Sequence, residues 1–249
     1  MSEVSGAPER AHHANINTES RRRKAVKIVT ILERRAPLKA ANVLDIGTGA
    51  GVIAATFAEA TGPDGAVESV DVVDVRVEMT GYNYQQVDGT ELPFADQSFD
   101  FVVSNHVIEH TGGPTDQRNH LREIARVLRP DGVAYLAVPN RYGPIEPHFK
   151  LPLLSWLPQR LADRYVRVAR RGTHYDCRLL TRSELSAMAH SAGLLVEDCT
   201  LEVTGLVRDS EAGAIVRGLL NAPDNVLRLG LPVIPTFVFL LRRKDGSDT

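Results

Sequence analysis

Carboxylates, histidines and glycines recur directly after short apolar segments in the first half of this chain, where a parallel sheet presents side chains to a ligand. Residues 43–51 read Val-Leu-Asp-Ile-Gly-Thr-Gly-Ala-Gly. Gly47, Gly49 and Gly51 leave room for a ligand against the main chain, with Thr48 between them, and the Val-Ile-Ala-Ala run that follows opens a helix. Turns that bind a pyrophosphate are spaced G-x-G-x-x-G and present the helix N-terminus to the anion. This loop is spaced G-x-G-x-G, and Asp45, two residues before its first glycine, would repel a phosphate. The pattern points to a cationic ligand.

S-adenosylmethionine meets that requirement, because it has no phosphate and carries an ammonium and a sulfonium. Two further acids follow in the order it needs. The segment Gly65–Asp71 predicts a second strand ending at Asp71, a carboxylate able to accept both ribose hydroxyls, with Val72 beside it and Asp74 as the alternative acid. A third strand, Tyr82–Val87, runs into Asp88-Gly89-Thr90, which would meet an adenine amino group. A fourth ends at Asn105. Over roughly residues 40 to 140 these four ordered motifs resemble the class I S-adenosylmethionine-dependent methyltransferases, especially the branch of quinone-biosynthesis and small-molecule enzymes. The resemblance implies that Asp45, Gly47, Thr48, Gly49, Gly51, Asp71, Val72, Asp88, Gly89, Thr90 and Asn105 hold the cofactor, which leaves as S-adenosylhomocysteine.

The stretch Asn105-His106-Val107-Ile108-Glu109-His110 carries the most chemistry. It spells H-x-x-E-H, a zinc-protease pattern that requires both histidines on one helical face. Here it follows a strand directly, where the resembled family has a Ser-Asn-x-Val-x-Glu-His sequence bordering the methyl group. His106 and His110 are therefore candidate bases for an acceptor hydroxyl, since an imidazole with a pKa near ~6.5 takes a proton at neutral pH. The competing reading of His110 is a brace for its loop. No metal is expected, Asp100 being structural and Asp116 completing no ligand set with His110.

The elements that must position these residues are strands near 41–46, 66–72, 82–87, 99–104, 133–138, 194–203 and 236–243, alternating with helical segments. That alternation predicts an α/β, Rossmann-like, seven-stranded and mostly parallel sheet with helices on both faces. The resemblance makes the last strand, around Phe237, antiparallel. A helix is expected over 18–35, capped by Thr18 and ended by Pro37, and another over 182–192, with a capping box of Thr181 and Glu184 and Gly193 at its end. With 249 residues and 43% hydrophobic composition, one sizeable core is expected. The N-terminal tail and helix would occupy 1–35 and the methyltransferase domain 36–249. Residues 139–180 exceed a simple crossover and are expected to form a substrate lid. Arg141, Tyr142, Glu146, His148, Trp156, His174 and Tyr175 would join His106 and Glu109 in meeting an acceptor with hydroxyls and an apolar part.

A formal net charge of −2 provides no basic field for nucleic acid, and the Arg21–Lys24 cluster reads as a solvated face. Two cysteines, Cys177 and Cys199, form no C-x-x-C pair, and the N-terminus is polar, which together predict a cytoplasmic location. Arg228, Gly230, Pro232 and Pro235 interrupt the C-terminal apolar stretch, so no transmembrane segment is expected, although the Leu151–Arg171 run would allow peripheral membrane contact. The expected activity is O-methylation of a small molecule such as a glycan or glycoside, its acceptor possessing sugar or lipid character. C-methylation of a quinone-like ring and a non-catalytic cofactor-binding regulator are the alternatives.

Overall fold

A computed structural model describes residues 18–210 and 234–244. The expected loose tail over 1–17 and the interrupting residues Arg228, Gly230 and Pro232 lie outside them, as does the side chain of Thr18. The chain opens with α1 (Thr18–Glu33), continues through β1 (Asn42–Ile46), α2 (Val52–Thr61), β2 (Ala66–Asp71), β3 (Asn83–Gln86) and β4 (Phe99–Asn105), then α3 (Pro114–Val127) and β5 (Leu128–Pro139). After the insertion, which carries α4 (Gln159–Val168), come α5 (Arg182–Ser191), β6 (Leu194–Asp198), α6 (Thr200–Ser210) and β7 (Thr236–Arg243). The seven strands form one sheet ordered β3-β2-β1-β4-β5-β7-β6, in which β7 runs antiparallel to both neighbours.

Burial follows from the two-sided packing of that sheet. Strand β1 is buried along Val43–Ile46 and β5 along Val133–Pro139, so both read as continuous apolar runs rather than alternating ones. On one face Leu44, Val102, Leu136 and Phe239 pack with Leu121 and Ile124 of α3 and Leu185 of α5. On the other Val43, Phe101, Tyr135 and Leu240 meet Ile28 and Ile31 of α1 and Phe57 of α2. The basic start of α1 is a solvated face with ion pairs, Arg22 to Glu59 at 2.7 Å and Arg23 to Glu19 at 3.2 Å.

Two expectations are corrected. The strand expected over 194–203 ends at Asp198, whose carboxylate accepts the Thr200 N–H at 2.8 Å and starts α6. Val203 and Leu206 then pack on the core at helical spacing. The fifth strand begins at Leu128, five residues early, with a register shift opposite Phe99 and Phe101. The α5 capping box forms as expected, with Glu184 N–H donating to Thr181 and Thr181 N–H donating to Glu184.

The insertion builds a small core of its own from Phe149, Leu151, Leu154, Ala162, Val166, Tyr175, Cys177 and Leu179. Helix α4 turns Ala162 and Val166 into it and leaves Leu161 and Val168 exposed, Val168 at 74%. No described helix is long and apolar enough to cross a membrane.

Candidate active site

All parallel strands deliver their C-terminal ends to one edge of the sheet, and the glycine loop leaves β1 there. Gly47 and Thr48 donate their N–H groups to Val70 O at 2.8 and 3.2 Å, which ties the loop to β2. Gly47 (φ +81°) and Gly51 (φ +83°) hold left-handed backbone. Neither position has room for a side chain. A Cβ at Gly47 would lie 2.4 Å from Val107 Cγ2, and one at Gly51 would lie 1.9 Å from Glu78 O. The first contact presses the glycine loop against the histidine loop; the second presses it against the segment after β2, whose Val77 and Glu78 N–H groups both donate to Ala50 O.

Asp71, half-buried at the end of β2, accepts N–H bonds from Gly49 at 2.8 Å and Val72 at 2.7 Å. Its carboxylate is thereby aimed along the loop. Asp74, the alternative ribose acid, is bound by Arg76 through Nε at 2.9 Å and Nη2 at 2.8 Å. The geometry favours Asp71. The hydroxyl of Thr48 turns inward to Ser69 at 2.5 Å, so the ligand side of this residue is its backbone. Asp88 and Gly89 are exposed just past β3, and Val72 is exposed next to Asp71. Asn105 closes β4 opposite Ala137.

Asp45 lies beneath the loop, 1% exposed. Its Oδ2 is 3.5 Å from Ser69 Oγ, and its Oδ1 has no hydrogen-bond partner. Burial, reinforced by the nearby charge of Asp71, raises its pKa to about 8.

The histidine loop begins at His106, a non-glycine residue with φ +60°, whose N–H donates to Ala137 O at 2.9 Å. A single 3-10 turn, Ile108–His110, follows. The protease pattern therefore fails on geometry, since its histidines share no helix. Glu109 is 1% exposed, with His106 Nδ1 and His148 Nε2 each 3.4 Å from its Oε1. Burial opposes its ionisation, but these imidazoles hold its pKa well below the usual carboxylate range. His148 comes from the insertion and is gripped by Glu146, fully buried, at 2.8 Å through Nδ1. The other oxygen of Glu146 accepts the Phe149 N–H at 2.6 Å. His110 faces His148 Nε2 at 3.1 Å with its own Nε2, and Cys177 Sγ at 3.7 Å with Nδ1. Both of its ring nitrogens are thus engaged by protein atoms. The His106 side chain is 23% exposed, against 13% for His148.

The structure thus brings together His106, Glu109, His110, Glu146 and His148, and adds Cys177. It spreads the other expected acceptor residues. Tyr142 and Trp156, 52% and 48% exposed, meet edge to face with centroids 6.3 Å apart. Arg141 stands 4.0 Å from Glu184, and His174 is exposed beside Thr173. Tyr175 is buried against Phe149 in the core of the insertion. Asp100 is structural, accepting from Asn42 N–H and Arg129, and Asp116 accepts the Gly113 N–H at the start of α3. One positioning residue escaped the sequence reading: buried Gln117 on α3 donates to Ile108 O at 3.1 Å and Arg178 O at 2.9 Å, clamping the histidine turn to the insertion. A polar residue on the apolar face of an amphipathic helix was its only signal.

Residues 44–136, from β1 through most of β5, match the family described as methyltransferase domain. The chain carries a class I methyltransferase domain. An uncharacterized methyltransferase of Mycobacterium sp. (strain JLS) is 38% identical over 133 residues, 50% of this chain and 49% of that protein. A ubiquinone biosynthesis O-methyltransferase of Rhizobium leguminosarum bv. trifolii is 28% identical over 173 residues, 66% of this chain and 63% of that one. The chain thus spans about half to under two thirds of the length of these relatives. The fold is shared with a SAM-dependent methyltransferase from Aquifex aeolicus, with a TM-score of 0.54 at 15% identity over 78% of this chain and 91% of that one. Class I methyltransferase domains take S-adenosylmethionine as methyl donor. The close-approach glycines, the orphaned Asp45 oxygen and the aimed Asp71 carboxylate all fit that ligand.

Proposed function

We propose that this protein methylates oxygen on a hydroxylated small molecule, a glycan or glycoside, using S-adenosylmethionine and leaving S-adenosylhomocysteine. The observation that carries this reading is the contact of Gly47 with Val107, which sets the glycine loop directly against a loop of histidines and a carboxylate. When bound, the sulfonium supplies an activated methyl: the acceptor oxygen forms the new C–O bond as the C–S bond breaks, and the bonding pair stays on sulfur. The chain's own residues do the rest. Asp45 opposes the ammonium, Asp71 takes the ribose hydroxyls, and the Asp88-Gly89-Thr90 turn, with Val72, borders the adenine. Asn105 sits at the junction of the two loops.

An acceptor oxygen must be held ~3–3.5 Å from the methyl carbon, so positioning dominates, and the insertion over 139–180 acts as the lid that does it. The hydroxyl proton leaves toward the histidine cluster, where His106, unlike His110, has no second imidazole on its ring nitrogens. His110 braces the cluster against His148. The exposed Tyr142–Trp156 pair offers the apolar or lipid part of the acceptor a flat surface. Cytoplasmic residence and the absence of a nucleic-acid substrate complete the reading, with 1–35 as an N-terminal extension to the domain at 36–249.

Titration with S-adenosylhomocysteine, paired with Asp71→Ala, tests the cofactor half: micromolar binding by the intact chain and its loss in the variant are expected. Mass spectrometry of reactions with glycosides, phenols and quinones tests the acceptor half. Methylation only at ring carbon would replace the oxygen reading, and tight cofactor binding with no transfer to any class would make the protein a regulator.

A further inference from the structure

The histidine cluster contains more negative charge than its surroundings balance. Glu109 and Glu146 are both buried, 1% and 0% exposed, and among the described residues their ion-pair partners are imidazoles alone. Neither oxygen of Glu109 has a hydrogen-bond partner. The imidazoles that keep it ionised stand 3.4 Å away, so its oxygens retain lone pairs for a further partner.

Its neighbours are spaced for a different role. His106 Nδ1 and His148 Nε2 each lie 3.4 Å from Glu109 Oε1, and the three donor atoms all fall within 4.8 Å of one another. Ligand atoms in a tetrahedral shell with bonds of ~2.0–2.1 Å stand ~3.3–3.4 Å apart. The two separations to Glu109 are longer than good hydrogen bonds and match two edges of a coordination polyhedron, and the third lies within 4.8 Å. Behind His148, Glu146 Oε1 lies 2.8 Å from Nδ1, the carboxylate-to-histidine support that orients a metal-binding imidazole; a metal at Nε2 would displace its contact with His110 at 3.1 Å. Three protein ligands, with His106 and His148 partly open to solvent, leave at least one position for another oxygen.

We propose that His106, Glu109 and His148 bind one divalent transition-metal ion of the zinc class, with Glu146 positioning His148. Two imidazoles and a carboxylate suit such ions better than magnesium or calcium. The ion would bind the acceptor oxygen and lower its pKa, with His106 serving as a ligand; this clause alone rests on the O-methylation reading. A competing donor set shares His148 and consists of His110, His148 and Cys177. The Glu109 carboxylate, without a hydrogen bond among the described residues, favours the first.

The full chain, stripped by chelator and dialysed, should take up one equivalent of Zn(II) in equilibrium dialysis. With Co(II) it should show visible ligand-field bands and no thiolate charge-transfer band. Glu109→Gln and His148→Gln should each weaken Zn(II) binding at least tenfold, Glu146→Gln by 10- to 100-fold, and Cys177→Ser by less than threefold. Retained S-adenosylhomocysteine binding and a cooperative melt confirm that each variant is folded, and two independent ligand variants guard against the loss of one. No stoichiometric uptake by the intact chain would overturn the site. A thiolate band, or loss of binding in Cys177→Ser, would overturn this ligand set. Metal uptake is read without turnover, so failure of the methylation reading would leave the result intact.

Discussion

The buried Asp45 carboxyl should make cofactor binding release a proton. Burial and the charge of Asp71 raise its pKa to about 8 in the free protein, so at pH 7 it is ~90% protonated. Pairing with the ligand's ammonium at the open Oδ1 would bring the pKa well below neutrality, with ~0.9 proton released per molecule bound. Affinity should rise close to tenfold per unit between pH 6 and 7, until the ligand's own amine begins to lose its proton near ~7.7–8.0. Asp45→Asn removes the linkage and weakens binding. Its effect on the ligand-free fold has the opposite sign. An acid whose folded pKa is raised contributes stability that is complete below its unfolded value of ~3.9 and lost as pH climbs toward 8. The native carboxyl therefore costs up to ~4 kcal/mol at pH 7, and the amide should raise the melting temperature by relieving part of it. Titration calorimetry in buffers of different ionisation enthalpy gives the proton count directly. Equal counts in the native protein and Asp45→Asn would refute the assignment of this carboxyl to the ammonium.

Gly51→Ala places a methyl 1.9 Å from Glu78 O on left-handed backbone, so urea unfolding should show at least ~2 kcal/mol of destabilisation. Calorimetry should show more than tenfold weaker cofactor binding as the 77–78 segment is pushed from Ala50. For a hydroxyl acceptor, His106→Ala should lower kcat by ~10² to 10⁴ with cofactor affinity unchanged, whether the imidazole takes the proton itself or holds an ion that lowers the hydroxyl's pKa. His110→Ala should act mainly through folding and loop order, visible as a lower melting temperature and a raised acceptor KM; equal kcat losses in both would contradict the division between accessible imidazole and brace.

The glycine loop and the acids beside it were legible because each of their signals is local. A strand, a glycine turn and an acid at a strand end are all encoded within a few residues, and the parallel sheet brings them to one edge whatever the loops between them do. The preference for Asp71 over Asp74 rested on strand position alone. Arg76 claims Asp74 with two bonds, a choice of partner that spacing does not encode and that supports the preference. The acceptor half was legible only as a list. Glu146 and His148 read as lid residues facing a substrate, yet Glu146 folds inward to grip His148, and His148 reaches a carboxylate 39 positions earlier in the chain. Cys177 read as an unremarkable thiol and lies against His110. The sixth strand was overextended for a related reason: Leu201, Val203 and Leu206 suit either a strand or a helix until Asp198 caps the turn.

The two halves are joined mechanically as well as chemically. Gly47 packs against Val107, Val107 O accepts the His110 N–H at 2.8 Å, and Gln117 with Arg178 ties the same turn to the insertion. Arg178 N–H donates to Glu109 O at 2.9 Å, so the lid and the histidine turn share a backbone bond. A ligand that reshapes the glycine loop must therefore press on Val107, and through it on the histidine turn. This path runs through backbone and tightly packed carbon rather than through exposed side chains. Enlarging Val107 should consequently disturb cofactor affinity and acceptor KM together, whereas changes at Tyr142 or Trp156 should alter the acceptor alone.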